Sequence, residues 1–414
     1  VYIGNNTEST DGYVGADAFR VLGTAAQGSA GNGHAYVGSS IKKLDSAAFY
    51  GDRYWLYSAD INCEEIGYQC FEQQRNLKEL TLSSGVKTIG GRAFYDNYAL
   101  TGIRIPDPTF IEEYAFQYTY GITGTVHVGN DTEDTQGLIN NFGFRYMGPA
   151  NAAVGTIDLY VGSSMESIGS NAFDAWLNSS NPGYFRNIKS ADLNCIPIGY
   201  QAFYNQDNLT GVTLSSGVKN IGVPGSESRT FEECGALTEL RIPDPKHVGP
   251  YAAISAPNIT GLYIGNNTED TQGVVDNDGG RYIGASQIGQ GYLSIGSSIR
   301  MIGTGAFHGD YQWLKKADLN CEIIGVRAFY NQDNLTGVTL SSGVKQVWFE
   351  AFQECDGLTG LKIPDPNFVG AEIFENARNI TGLYIGNDTE NTKGRIKTDC
   401  GRYMSSSKIN QGYL

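Results

Sequence analysis

No stretch of this 414-residue chain approaches the roughly 18 consecutive apolar residues that a membrane-crossing helix requires. Histidine is scarce: there are four, and none of His34, His127, His247 and His308 has a second His or Cys at metal-ligand spacing, which argues against a zinc site. Charge is thin as well, at 18% of residues, and acidic side chains outnumber basic ones 44 to 29 for a formal charge of −15. A basic nucleic-acid surface is therefore not expected. The seven cysteines are an odd number, so at least one thiol has no partner within the chain. The chain starts at Val1 rather than Met, and reads as a processed protein or a piece of a longer one.

What is abundant is glycine, 54 of 414 residues, about twice the usual share. A 40% hydrophobic content is enough to bury a core. Internal periodicity explains both. Ala-Asp-Ile/Leu-Asn-Cys recurs at Ala59, Ala191 and Ala317, Ile-Pro-Asp-Pro at Ile105, Ile242 and Ile363, and Gly-Asn-Asn/Asp-Thr-Glu at Gly4, Gly129, Gly265 and Gly386. The step from Gly265 to Gly386 is 121 residues, an uninterrupted super-repeat of five coils. Longer offsets come from insertions at Pro224–Ser228 and Asn178–Asn187, which are expected to be loops.

Within each super-repeat lies a unit of roughly 21 to 23 residues with one longer member, and its skeleton is L-t-x-L-x-I/L-x-x-x-V-x-x-I-g-x-x-A-F. Leu80 and Leu82, or Ile103 and Ile105, alternate as in a short strand; Val86 and Ile89 form a return leg, and Phe94 closes the coil. One coil cannot bury its own apolar face, so coils must stack. Phe49, Phe71, Phe94, Phe116, Phe203, Phe307, Phe329, Phe352 and Phe374 then form an internal column, with glycine expected at the corners. The fold class expected is a repeat solenoid of mainly short parallel β-strands with turns and short helical segments, about 16 coils long. It reads as one domain over 1–414, with super-repeat copies at roughly 1–33 (partial), 34–157, 158–291 and 292–414.

Ser84-Gly85-Val86-Lys87-Thr88-Ile89-Gly90 with Ala93-Phe94, and Phe352-Gln353-Glu354-Cys355, resemble the BspA-like (Treponema pallidum type) leucine-rich repeat. The resemblance covers nearly the whole chain; the Ile-Pro-Asp-Pro variant and the five-coil super-period depart from it. It implies a leucine-rich-repeat solenoid, secreted or on the cell surface, used in adhesion and partner binding, with no enzyme activity and no cofactor.

Sequons fall at Asn5, Asn130, Asn178, Asn208, Asn258, Asn266, Asn334, Asn379 and Asn387. Stacked coils would set them in rows outside, as glycan acceptors in a secretory compartment, or as Asn caps of each turn. Cysteine leaves two readings open. Cys63 with Cys70, Cys195 with Cys234 and Cys321 with Cys355 form disulfides and leave Cys400 alone, or all are buried thiols.

Candidate chemistry is sparse. The oxygen-rich loops at 130–134, 266–270 and 387–391 are weighed for calcium, but they lack the D-x-D-x-D-G spacing and read as solvated turns. Asp107, Asp244 and Asp365 between prolines, with Arg104, Arg241 and Lys362 three residues before them, read as turns with an exposed charge pair. An active site should occur once and break the repeat, and the breaks carry no paired acids, so a polysaccharide-active enzyme is a remote alternative. No catalytic, cofactor-binding or metal-ligating residue is nominated. Tyr204, Tyr330, Trp55 and Trp313 are weighed as exposed contact residues, with packing favoured for the tryptophans. The ends enter and leave the repeat in mid-coil. The expected function is thus a non-enzymatic extracellular structural or adhesive solenoid, glycosylated, self-associating head to tail into a filament or array. The alternative is a monomeric module that binds a protein or glycan on its strand face.

Overall fold

The computed structural model of the chain describes residues 1–7, 11–20, 31–51, 54–132, 134–149, 155–175, 186–195, 197–386 and 394–399. They divide into two compact units, Val1–Thr213 and Leu214–Leu414. Each is a parallel β-solenoid, with sixteen long strands among the described residues of the two.

One coil of the first unit shows why the skeleton folds as it does. In Glu79–Leu82 the exposed Glu79 and Thr81 alternate with Leu80 and the buried Leu82. Ser83-Ser84-Gly85 turns the chain, Val86 is buried, and Thr88–Ile89 forms a second, shorter strand. Ala93, Phe94 and Leu100 then close the interior, each fully buried. Both strands pair in parallel with neighbouring coils, Ala59 with Leu80 and Ile61 with Leu82 on one side, Thr88 with Phe110 and Ile89 with Ile111 on the other. Each stacked coil therefore hides several aliphatic and aromatic side chains worth about 1.5–3 kcal/mol apiece. Alone, it would leave them wet.

The long strands of the first unit form two parallel sheets. One runs through Tyr2–Ile3, Gly33–Val37, Leu56–Ile61 and Glu79–Leu82; the other includes Ile103–Ile105, Thr125–Val128, Ile157–Val161 and Ile188–Leu193. Their shorter counterparts make a separate sheet from Gly12–Val14 to Met165–Ile168. The second unit repeats the plan, with long strands from Glu239–Ile242 to Gly337–Leu340, a further pair at Gly360–Ile363 and Gly382–Ile385, and short ones from Asn220–Ile221 to Arg395–Ile396.

The expected short helical segments are not helices: among the described residues every such segment is a run of turns. The backbone gives the reason. Arg92 and Asp96 both sit in the left-handed region, with φ of 56° and 63°, and an α-helix cannot pass through left-handed residues four apart. The same pair of positions is left-handed in coil after coil, at Gln69 and Gln73, Tyr114 and Tyr118, Gln201 and Asn205, Glu350 and Glu354. These turns bond coil to coil instead: Phe71 N–H donates to Ala93 O at 2.7 Å and Phe94 N–H to Ala115 O at 2.8 Å.

Glycine also differs from expectation. The recurrent left-handed corners are held mostly by other residues, while many glycines lie where one coil's backbone presses on the last. A Cβ at Gly90 would meet the Gly67 carbonyl carbon at 2.7 Å, and one at Gly162 would meet Asn130 O at 2.4 Å. The glycine excess is therefore largely a requirement of close stacking.

The phenylalanine column is present in both units. In the first, Phe19, Phe49, Phe71, Phe94, Phe116, Phe144, Phe173 and Phe203 stack with centroids 4.8–5.3 Å apart, close to the spacing of adjacent strands. Phe19, Phe144 and Phe173 extend the expected set. In the second, Phe307, Phe329, Phe352 and Phe374 continue the pattern at 5.2–5.8 Å. Before Phe307 the column position is taken by Ala253 and Gly280, and the Phe307 ring leans into the space, so a Cβ on Gly280 would meet it at 2.2 Å. The apolar void that remains there, about 10 Å³, is too small and too greasy to hold water.

The long-strand ladder has a seam in each unit. Glu79–Leu82 ends one sheet and Ile103–Ile105 begins the next; Gly337–Leu340 and Gly360–Ile363 are divided likewise. At this place Ser83 and Ser341 donate N–H groups to Ile61 O and Leu319 O, both at 3.1 Å. One coil later stand Pro106 and Pro364, which have no N–H to give. An ion pair spans each seam. Lys87 Nζ donates to Asp107 and Lys345 Nζ to Asp365, and Lys219 holds Asp244 in the same way. The aspartates between prolines are thus buried and paired with the preceding coil's lysine, rather than exposed and paired with Arg104, Arg241 or Lys362. Burial alone would raise the Asp107 pKa, but Lys87, Thr135 and Asn130 outweigh it and hold the carboxyl below its usual range. Its stabilisation is therefore complete above the unfolded-state value and is lost as pH falls through the lower folded value. Asp107→Asn should cost the first unit about 1–2 kcal/mol at neutral pH and flatten the acid limb of a pH series of urea melts; an unchanged acid limb would refute the assignment.

Candidate recognition surface

The strand register places outward residues in rows across the coils. In the first unit Arg104, His127, Tyr160 and Asp192 are successive partners. The second unit has Arg241, Tyr263, Ser294, Asp318 and Thr339 in register, and further on Lys362 beside Tyr384. Each row starts at the cation of the Arg/Lys-Ile-Pro-Asp-Pro coil and passes to an aromatic or imidazole ring, and the two longer rows continue to an aspartate. Strand alternation turns these side chains away from the core.

Contacts along the rows hold the rings in place. His127 lies 4.2 Å from Tyr160, and the Arg241 guanidinium sits 3.8 Å over Tyr263, a cation–π contact. Burial, and then the charge of Arg104, lowers the His127 pKa, so this imidazole is neutral at pH 7. Burial, then hydrogen bonding to Asp131, pushes Tyr160 up to about 12. Tyr292 donates to Asp318 at 2.5 Å. Beside the second row, Val338, Gly360, Leu361, Lys362 and Tyr384 line an open depression of about 430 Å³. The sequence contained the signal for these rows, in the polar positions of I-R-I, T-V-H-V and I-D-L-Y-V, but only a known register aligns them.

The residues singled out from sequence are distributed differently. Trp313 is buried against Gly291, whose added Cβ would meet the ring at 1.8 Å, and the half-buried Trp55 sits over Gly33 in the same way. Tyr330 is half-buried beside His308, 4.8 Å away, and Tyr204 is half-buried as well. In the oxygen-rich loops Asn130 Oδ1 accepts from Thr132 N at 2.8 Å, and Asn266 Oδ1 accepts from Thr268 and Glu269 N, both at 2.8 Å. These oxygens therefore cap turns; residues 387–391 lie outside the described residues. Among the described residues the one carboxylate cluster compact enough to share an ion is elsewhere, at Glu350, Glu372 and Glu375. The Pro224–Ser228 insertion is an exposed loop up to Glu227.

Cys63, Cys70, Cys195, Cys234, Cys321 and Cys355 are all buried, and in this structure each is a free thiol. Each faces the interior of its coil as a small apolar group, and burial pushes Cys63, Cys195 and Cys321 up to about 12. Cys400 lies outside the described residues.

The sequon asparagines share one geometry. The side-chain amides of Asn208, Asn258, Asn334 and Asn379 donate to Arg186 O at 2.6, Gly235 O at 2.8, Gln312 O at 3.1 and Asp356 O at 2.8 Å. Asn130 and Asn266 donate to Pro106 O and Pro243 O, both at 2.9 Å. Each amide ties its coil to the one before. Asn76, which is not a sequon, reaches Leu56 O of the preceding coil at 3.5 Å and Gly31 O, two coils back, at 3.0 Å. Asn5 is exposed, with its Oδ1 accepting from Thr7 N at 2.9 Å. Asn178 and Asn387 lie outside the described residues.

The family model described as BspA type leucine rich repeat region matches residues 34–123, 166–273 and 287–401 in six copies. Similar solved structures include a leucine-rich repeat protein from Bacteroides ovatus, 16% identical, covering 85% of this chain and 82% of that one with a TM-score of 0.37. A leucine rich cell surface protein from Faecalibacterium prausnitzii is 17% identical, covering 86% and 82% at a TM-score of 0.30. The T. pallidum leucine rich repeat protein is 14% identical, covering 67% and 76% at 0.21. No protein among the curated ones matches the sequence.

Proposed function

The chain belongs to the BspA-type leucine-rich repeat family, and from that premise we propose that it is a non-enzymatic extracellular recognition and adhesion solenoid that engages a protein partner through its strand face. The observation that carries this reading is the repeated outward row of cation, ring and aspartate. Arginine and tyrosine offer large contact area at low entropic cost. Repetition along the coils lets many weak contacts add. Family members of this type are generally surface or secreted binding proteins, and no helix among the described residues is long and apolar enough to cross a membrane.

Glycosylation and head-to-tail assembly belong to the same proposal. Attaching a glycan to a sequon whose amide bonds the preceding coil leaves that amide a single N–H and crowds the bond it makes, at a cost of up to about 1 kcal/mol each. Occupancy is therefore expected to be lower at Asn130, Asn208, Asn258, Asn266, Asn334 and Asn379 than at the exposed Asn5. Site-resolved mass spectrometry of protein made through a eukaryotic secretory route reads this directly, and bare asparagine throughout would remove glycosylation from the proposal. For recognition, saturable binding to a panel of immobilised extracellular proteins is expected, weakened about tenfold by Tyr263→Ala combined with Tyr384→Ala. Binding that ignores this double change would place recognition elsewhere. Negative-stain images of particles whose length does not grow with concentration would remove the filament.

A further inference from the structure

The first unit carries a groove outside its short-strand sheet, on a different face from the rows above. Its origin is a single break in the repeat. The residue two after the end of each short strand is Tyr68 in one coil, Gly91 in the next and Glu113 in the third. Across the described coils this position otherwise bears a side chain, from Ser46 and Asn141 to Thr304 and Phe349. Gly91 leaves a gap whose floor is bare backbone. The space is about 640 Å³ and is lined by Tyr68, Arg92, Phe110, Glu112, Glu113, Tyr114 and Asn140 around that glycine.

The walls are prepared on both sides. Tyr68 is 48% exposed. Tyr114, held at a φ of 61°, stacks on Phe142 at 5.3 Å with the ring planes 5° apart, so its ring is backed and fixed. Tyr68 and Tyr114 are two coil steps apart, about 10 Å. Glu112 accepts the Gly91 N–H at 2.6 Å, which fixes its carboxylate at the floor. The Arg92 guanidinium lies 4.7 Å over the Tyr95 ring. Glu113 is exposed on the rim, and Asn140 brings an amide to the same edge.

We propose that this groove binds a neutral oligosaccharide, with sugar rings laid on Tyr68 and Tyr114 and hydroxyls taken by Glu113, Asn140 and Arg92. A pyranose presents an apolar C–H face that covers an aromatic ring and a polar rim that needs donors and acceptors together. Carboxylate, amide and guanidinium supply both. The separation of the two rings suits a short oligomer rather than a single sugar. Two glutamates disfavour an acidic glycan. A basic peptide would want both carboxylates free, but Glu112 is committed to Gly91 and Arg92 stands in the wall.

Calorimetry on the full chain with cellopentaose and chitopentaose tests this, with a glucuronate oligomer and oligolysine alongside. Binding of at least one neutral pentamer is expected. It should be weakened about tenfold by Tyr68→Ala and lost in Gly91→Gln, whose side chain fills the groove. Gly91 is free of the left-handed region, and its added Cβ would meet Glu112 Oε2, Glu113 O and Tyr68 Cδ2 each at 3.3 Å, contacts that give by a few tenths of an ångström, so a melting temperature lowered by only a few degrees should accompany that loss. Tyr263→Ala should leave the affinity as it was, which separates this site from the strand face. Retained affinity in Gly91→Gln, no binding of either neutral pentamer, or binding of oligolysine alone would each overturn the proposal.

Discussion

Phe94→Ala is expected to destabilise the first unit by about 3–5 kcal/mol. The ring is fully buried and stacked between Phe71 at 5.3 Å and Phe116 at 5.0 Å. Truncation removes both stacking contacts and leaves a cavity that neighbours cannot easily fill, because their backbones are tied coil to coil by Phe71 N–H to Ala93 O and Phe94 N–H to Ala115 O. Stability in a solenoid is a sum of coil terms and nearest-neighbour terms, so the damage should be local. Hydrogen exchange should quicken first at the amides of Phe71, Phe94 and Phe116, with coils several steps away little changed. Phe94→Leu should cost less, since it keeps much of the volume. Uniform acceleration along the unit would contradict nearest-neighbour energetics.

Gly162→Ala should be comparably severe, at about 3 kcal/mol or more. Its new methyl carbon would fall 2.4 Å from Asn130 O and 2.6 Å from both Asn130 C and N. Those atoms are backbone, and they are anchored: Ser164 N donates to Asn130 O at 2.8 Å and Gly162 N to Val128 O at 2.9 Å. The coils would have to part. Gly211 supplies the control, since nothing lies within 4 Å of the Cβ it would gain. Gly211→Ala should be neutral or stabilise by up to about 1 kcal/mol through the unfolded chain. Equal effects at the two positions, read by urea denaturation, would show that glycine here is chosen for flexibility rather than for closeness.

The contrast between those glycines marks where sequence reasoning runs out. The skeleton of Leu80, Leu82, Val86, Ile89 and Phe94 was legible, because a period of about 22 residues can be satisfied only by stacked coils. Once coils stack, the phenylalanine column follows. What one coil does to the next was not legible. Lys87 and Asp107 are 20 positions apart, and nothing in their spacing selects that pair over Arg104 and Asp107. The bracket from Asn334 to Gln312 O likewise needs the neighbouring coil in place. Gly91 was visible as a letter but not as a gap, since a missing side chain means something only between Tyr68 and Glu113.

The ladder seams have a consequence for a molecule that holds on to something. Load along the coils is borne in parallel by strand hydrogen bonds and the turn-face ladder. Between Leu82 and Ile105, and again between Leu340 and Ile363, the strand share falls to an ion pair and the packing beneath it. Under tension these are the places to yield first. A pulled chain should lengthen by blocks of coils set by where the prolines stand, and at lower force at low pH, where Asp107 no longer grips Lys87.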